Sequence, residues 1–230
     1  MYYLALFENV QDFFIKGGVF MAVLLTISFV AVTVILLRLV ALRRRAVIPV
    51  LIEKEIYKLR PGDDPDHLRH LIQDDTSPLS RIVEVAVRPF KATKQETLEV
   101  VQSRARQEIV RLESGLFVLE IVVGIAPLLG LLGAVAGLVK VFSNIGSGAM
   151  STADLKGIAA GIGEALSTTI VGLAIAIPAL VAFSYFSRRV ERLAVEMESL
   201  LTDLIDKIFH RAKQRESYAP EGEPLEEAAR

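Results

Sequence analysis

The sequence predicts an all-α integral membrane protein with three transmembrane helices, the second and third long enough to extend into the cytoplasm. The first observation behind this is a segregated composition: 52% of the 230 residues are hydrophobic, yet 23% are charged. A chain that is apolar on average and keeps an ordinary charge content separates the two into membrane spans and aqueous segments. The second is that three apolar stretches are each long enough to cross a bilayer. The third is that no strand-type alternation, internal repeat or nucleotide-binding glycine loop breaks the helical pattern. The absence of cysteine excludes disulfides, thiolate metal sites and a cysteine nucleophile. A formal net charge of -1 gives no reason to expect nucleic acid as a partner.

After an N-terminal segment at 1–16, the first span is read at 17–37, from Gly17 to Leu37 between Lys16 and Arg38. At about 1.5 Å per residue it reaches roughly 30 Å, one hydrocarbon thickness. A cleaved signal peptide fits less well. Glu8 and Asp12 precede the stretch with Lys16 as the sole cation, the apolar core is too long, and no small-x-small cleavage site precedes Arg38. The second span, 115–142, and the third, 157–187, are interrupted by Glu120 and Glu164 respectively. A short loop at 143–156 makes them an antiparallel hairpin. Arg38, Arg43, Arg44 and Arg45 follow the first span, Arg104, Arg106 and Arg111 precede the second, and Arg188, Arg189 and Arg192 follow the third. These basic flanks are expected to face the cytoplasm, which puts the N-terminus and the short loop on the periplasmic side of a bacterial inner membrane.

The cytoplasmic segment at 38–114 reads as helices divided by the breaker cluster Pro61, Gly62, Asp63, Asp64 and Pro65. Ser77 before Pro78 reads as an N-cap with proline at the first helical position, and Thr93 with Glu96 as a capping box. No glycine or proline follows Thr93 until Gly115, so that helix is expected to run on into the second span. Beyond the third span, at 188–215, Val190, Leu193, Met197, Leu200, Leu204 and Ile208 recur at helical spacing and form an apolar stripe that needs a partner. The acidic, proline-containing tail at 216–230 reads as disordered. His67 and His70 lack a third ligand nearby and read as solvated surface histidines, so no metal or cofactor is expected. With no histidine near any span, a hydrolytic triad and enzymatic activity are not expected either.

A carboxylate inside hydrocarbon costs a few kcal/mol, which makes Glu164 the leading candidate for function. Ser167 and Thr168, three and four residues on, share its face of the helix, and Thr169 lies about 140° round it. The bland alternative is a carboxyl that hydrogen-bonds a neighbouring helix and only fixes packing. Glu120, near the cytoplasmic end of its span, reads equally as an interfacial carboxylate or as a second acid bordering the same path at another depth. Its face also carries Gly124, Pro127, Leu131 and Ala134. Gly130, Gly133 and Gly137 in one span, and Gly157, Gly161 and Gly163 in the other, let helix backbones approach closely, Gly133 with Gly137 and Gly157 with Gly161 at small-xxx-small spacing. Pro127 and Pro178 read as kinks within spans, since neighbouring helices can satisfy the freed carbonyls.

The stretch IAPLLGLLGAVAGLVKVF from Ile125 and the stretch GIGEALSTTIVGLAIAIPALVAF from Gly161 closely resemble the second and third helices of the ExbB/TolQ branch of the MotA/TolQ/ExbB proton-channel family. LRLVALRRRAVIP, after the first span, is similar to the same branch. The resemblance implies a homopentameric ring around a pore that holds the transmembrane helices of two ExbD/TolR-like single-span subunits. Proton motive force would then drive work on a TonB- or TolA-like envelope protein. Glu164 takes the position of the family's acid and Thr169 that of its pore-lining threonine, where spacing alone favours Thr168. One position departs: where the family's second helix carries a pore-facing threonine, this chain has Ala134, so a hydroxyl is missing from the path. The function expected is therefore a proton-channel subunit of an inner-membrane motor. The alternative is a non-conducting oligomeric scaffold for single-span partner helices.

Overall fold

The computed structural model describes residues 18–88, 93–145 and 152–217. The N-terminal segment at 1–16, the middle of the loop at 143–156 and the tail beyond Ser217 lie outside them. Among the described residues the chain forms α1 (Gly18–Ala41), α2 (Arg44–Val47), α3 (Val50–Lys58), α4 (Asp66–Gln73), α5 (Pro78–Ala86), α6 (Lys94–Glu113), α7 (Leu116–Ile145) and α8 (Thr152–Ser217), with no strand. Three of these are long and apolar enough to cross a membrane: Val19–Ala41, Leu116–Ser143 and the part of α8 that begins at Gly157. The chain is an all-α membrane protein. It divides into two compact units, Met1–Val40 with Glu113–Arg188, and Ala41–Leu112 with Arg189–Arg230.

In the first unit α7 and the leading part of α8 run antiparallel, because their contacts pair rising numbers on one with falling numbers on the other. A Cβ on Gly130 would lie 2.8 Å from the Thr168 carbonyl oxygen and 3.3 Å from Gly172 Cα. One on Gly137 would lie 3.1 Å from Ala165 Cβ, and one on Gly161 would strike Val141. The two backbones touch there, and only glycine leaves them room. Helix α1 joins the pair at Gly133, whose Cβ would sit 3.1 Å from Phe20 Cβ. Met21, Leu24 and Ala31 form its buried face. The hydroxyls of Thr26 and Thr33 donate to the carbonyls of Ala22 and Phe29 one turn back, so neither is left unsatisfied in an apolar helix. Both α7 and α8 continue past their internal prolines, Pro127 and Pro178. The expectation of one unbroken helix from Thr93 into the second span is corrected: α6 stops at Glu113 and α7 starts at Leu116, with Ser114 and Gly115 in a turn. A side chain on Gly115 would overlap the Arg38 guanidinium of α1, which fills that space.

In the second unit the apolar stripe after Arg189 finds its cover within the chain. Val190, Leu193, Met197, Leu200 and Leu204 are buried, joined by Leu201 and Ile205. Polar contacts fix α2 and α3 beside it. Arg189 donates to the Leu42 carbonyl at 3.2 Å, and Lys207 donates to the Ile56 carbonyl at 3.0 Å. Arg44 bonds both Glu53 (2.8 Å) and Glu196 (Nε to Oε1, 2.9 Å), and these two carboxylates, Glu53 first, raise its hold on its proton above the ordinary arginine level. The breaker cluster turns between α3 and α4 through Gly62, whose φ of 93° suits glycine and whose N–H donates to the Lys207 carbonyl. Ser77 caps α5 by accepting from the Ser80 N–H at 3.2 Å. Thr93 and Glu96 form a reciprocal capping box: the Thr93 N–H donates to Glu96, and the Glu96 N–H to the Thr93 hydroxyl. These bonds lower the Glu96 carboxyl below the usual carboxylate range, the backbone bond first. Exposed His67 reaches half-buried Glu55 at 3.0 Å.

Candidate functional site

Residues along an α-helix turn about 100° each, and by that rule α8 between Gly157 and Val181 presents three faces. Ala165, Thr168, Gly172, Ala176 and Ala179 form the buried one. Leu166, Ile170, Leu173, Ile177 and Val181 form a bulky apolar face that is exposed in a single chain. Between them lies a third face of Gly157, Ala160, Gly163, Glu164, Ser167, Val171, Ala174 and Pro178, whose side chains other than Glu164 are small as far as Ser167, and which is exposed except for half-buried Ser167 and Val171. A side chain added at Gly157 or Gly163 would meet no atom within 4 Å. Those two glycines, unlike Gly161, therefore make no close approach among the described residues.

The hydroxyls near Glu164 are placed differently from one another. Ser167 shares the third face and donates to the Gly163 carbonyl of its own helix at 2.8 Å. Thr168 is only 3% exposed, with its hydroxyl 3.0 Å from the Gly130 carbonyl of α7 and 2.8 Å from the Ala165 carbonyl. Thr169 lies on the far side of the buried face, about 140° from Glu164, with its hydroxyl 3.3 Å from the same Gly130 carbonyl. The structure thus brings Thr168 and Thr169 together on Gly130, and leaves Glu164 and Ser167 on the other flank.

Ala134, 7% exposed, is one turn beyond Gly130 on α7 and adjoins Gly133, whose absent side chain leaves room for Thr168. It therefore sits at the level of the two threonines. Glu120 does not: Ala165 packs on Gly137, so Glu164 lies near that level, and Glu120 is 17 residues away along α7, about 25 Å at 1.5 Å per residue. Glu120 is exposed. Gly172 is the position the sequence reading missed. A Cβ there would meet the Ala126 carbonyl and lie 3.1 Å from Gly130 Cα, and its signal was the small residue every fourth place, Thr168, Gly172 and Ala176.

A three-span bundle with one carboxylate on a small, outward face of its third span is the architecture of a membrane protein that moves ions or holds other helices. Comparison with known proteins defines the family. Residues 74–199 match the model of the MotA/TolQ/ExbB proton channel family, and the chain belongs to that family. A putative biopolymer transport protein ExbB-like 3 of Synechocystis sp. is 29% identical over 210 residues, covering 88% of this chain and 98% of its own length. ExbB-like 1 of the same organism is 33% identical over 180 residues, 75% of this chain and 68% of that one. The biopolymer transport protein ExbB of Xanthomonas campestris pv. campestris is 37% identical over 112 residues, 47% of this chain and 44% of its own.

Proposed function

We propose that this chain is the proton-conducting subunit of a bacterial inner-membrane motor that turns proton motive force into work for biopolymer transport of the TonB-dependent kind, or for Tol-type envelope maintenance. The observation that carries the reading is the exposed Glu164 on α8, set among the small residues Gly157, Ala160, Gly163 and Ser167. Facing lipid, that carboxylate would cost a few kcal/mol, whereas facing protein or water it can take up and release a proton. Narrow side chains on either side of it let another helix approach closely. A ring of copies, five by family resemblance, enclosing the helices of two ExbD/TolR-like subunits would cover the face and leave the Leu/Ile face to lipid. Work would then pass to a TonB- or TolA-like protein. The arginines that flank the spans support a cytoplasmic C-terminus and a periplasmic N-terminus. The chain moves an ion rather than transforming a substrate, and needs no cofactor.

Proton flux into liposomes carrying the protein with its single-span partner tests this. Flux should be measurable for the native chain and lost in Glu164→Gln with the complex still assembled. One observation favours the second reading, a non-conducting scaffold: with Ala134 in place of a hydroxyl, the hydroxyls of Ser167, Thr168 and Thr169 all already donate to backbone carbonyls. Native flux no higher than in empty liposomes, with the complex and its envelope client present, would select the scaffold.

A further inference from the structure

We propose that Thr168 is a positioning residue: its hydroxyl bond to the Gly130 carbonyl locks the register and rotation of the third span on the second, and so keeps Glu164 turned out of the seam between them. The inference rests on the reading of Glu164 as the proton-carrying group. The seam itself is smooth. Gly130, Gly133 and Gly137 on α7 meet Ala165, Thr168 and Gly172 on α8, and small surfaces of this kind allow close approach but offer few knobs to stop one helix sliding on the other. A hydrogen bond between helices is directional and has a narrow range of distance.

Thr168 supplies that bond from the middle of the seam. Its hydroxyl is shared between the Ala165 carbonyl of its own helix at 2.8 Å and the Gly130 carbonyl of α7 at 3.0 Å, and its Oγ1 and Cβ lie 3.0 and 3.2 Å from where a Gly133 side chain would begin. The side chain is therefore wedged between Gly130 and Gly133. The neighbouring hydroxyls are placed less well for this. Ser167 bonds within its own helix, and Thr169 reaches Gly130 only at 3.3 Å from a half-buried flank. Sliding α8 by one residue while keeping a face on α7 turns it by about 100°, and Glu164 lies only about 40° from Thr168. One slip in the wrong sense carries the carboxyl into the seam.

The native chain has no cysteine, so a pair introduced at Val141→Cys and Gly161→Cys, which face each other across the seam, reports the register in the full-length protein in liposomes. Thr168→Val keeps the shape and removes the hydroxyl, whereas Thr168→Ser keeps the hydroxyl. The clamp predicts that Thr168→Val lowers both the rate of 141–161 cross-linking and proton flux severalfold, that Thr168→Ser restores both, and that Thr169→Val leaves cross-linking intact. Native cross-linking in Thr168→Val overturns the clamp, and if flux is lost alongside it, the hydroxyl carries protons instead. Failure of Thr168→Ser to restore cross-linking also overturns it. Cross-linking reads the register whether or not the protein conducts. Absence of flux in every variant, with cross-linking still dependent on the hydroxyl, would sink the channel reading and uphold the clamp.

Discussion

Glu108, the most deeply buried charged side chain among the described residues at 1% exposed, lies outside the spans. It accepts from Arg111 at 2.8 Å and Arg81 at 3.1 Å, and pairs with Arg104 at 3.3 Å. Arg104 and Arg111 come from α6 itself, one turn either side, while Arg81 comes from α5 and ties the two helices together. Glu108→Gln keeps the shape but leaves three guanidiniums around a neutral amide. It should destabilise the purified protein by roughly 2 kcal/mol, the scale of losing buried charge-assisted bonds. Melting in detergent checks this against Glu84→Gln, which breaks the exposed Arg88–Glu84 pair and should change little. The sequence showed Arg104 and Arg111 at helical spacing from Glu108, yet a glutamate on a polar helix reads as solvated. Its partner from outside its own helix, Arg81, comes from α5, and no local pattern announces that. The same limit applied to Thr168 and Thr169: spacing puts Thr168 on the face of Glu164 and Thr169 about 140° round the helix, but does not say which hydroxyl meets another helix.

Caps and breakers were the most legible features of the elements. Ser77, the Thr93–Glu96 box and Gly62 act through atoms a few residues away, so the local sequence carries most of the argument. The turn at Ser114 and Gly115 was hidden because the group that lies against it, the Arg38 guanidinium, comes from a helix far away in sequence. The α7–α8 seam lies between these cases. Glycines predicted close approach, but not that Gly172 takes part while Gly157 and Gly163 do not. Gly172→Ala tests the seam: its methyl would press on the Ala126 carbonyl and lie 3.1 Å from Gly130 Cα, both backbone, so the helices must part. A cost of about 1–3 kcal/mol is expected, as for overpacking elsewhere. Gly124→Ala, with nothing within 4 Å of the new methyl, should be neutral or stabilising through helix propensity. Melting of the two variants in the same detergent separates these outcomes.

For the whole molecule, the question is what covers the spans. In a single chain no more than 28% of any span's most apolar window is buried, so lipid or other helices must surround the rest. The bulky face of α8 suits lipid without further provision. The face of Gly157, Ala160, Gly163 and Glu164 does not, because a carboxylate is costly in hydrocarbon and small side chains present little apolar surface to it. Gly163→Leu distinguishes the two possibilities. Nothing lies within 4 Å of the Gly163 position in the single chain, so the leucine has room and the subunit itself should fold and melt as the native one does. If another helix packs on this face, the leucine fills the space that helix needs. The assembled complex should then fall apart to smaller species on size exclusion in mild detergent, with proton flux lost alongside. Leu166→Phe, which adds bulk at a 59% exposed position on the apolar face, should leave assembly intact. An unchanged complex in Gly163→Leu would mean that the face is open to water or lipid, and the covering helix would have to be sought on α7, along the exposed line through Gly124 and Leu131.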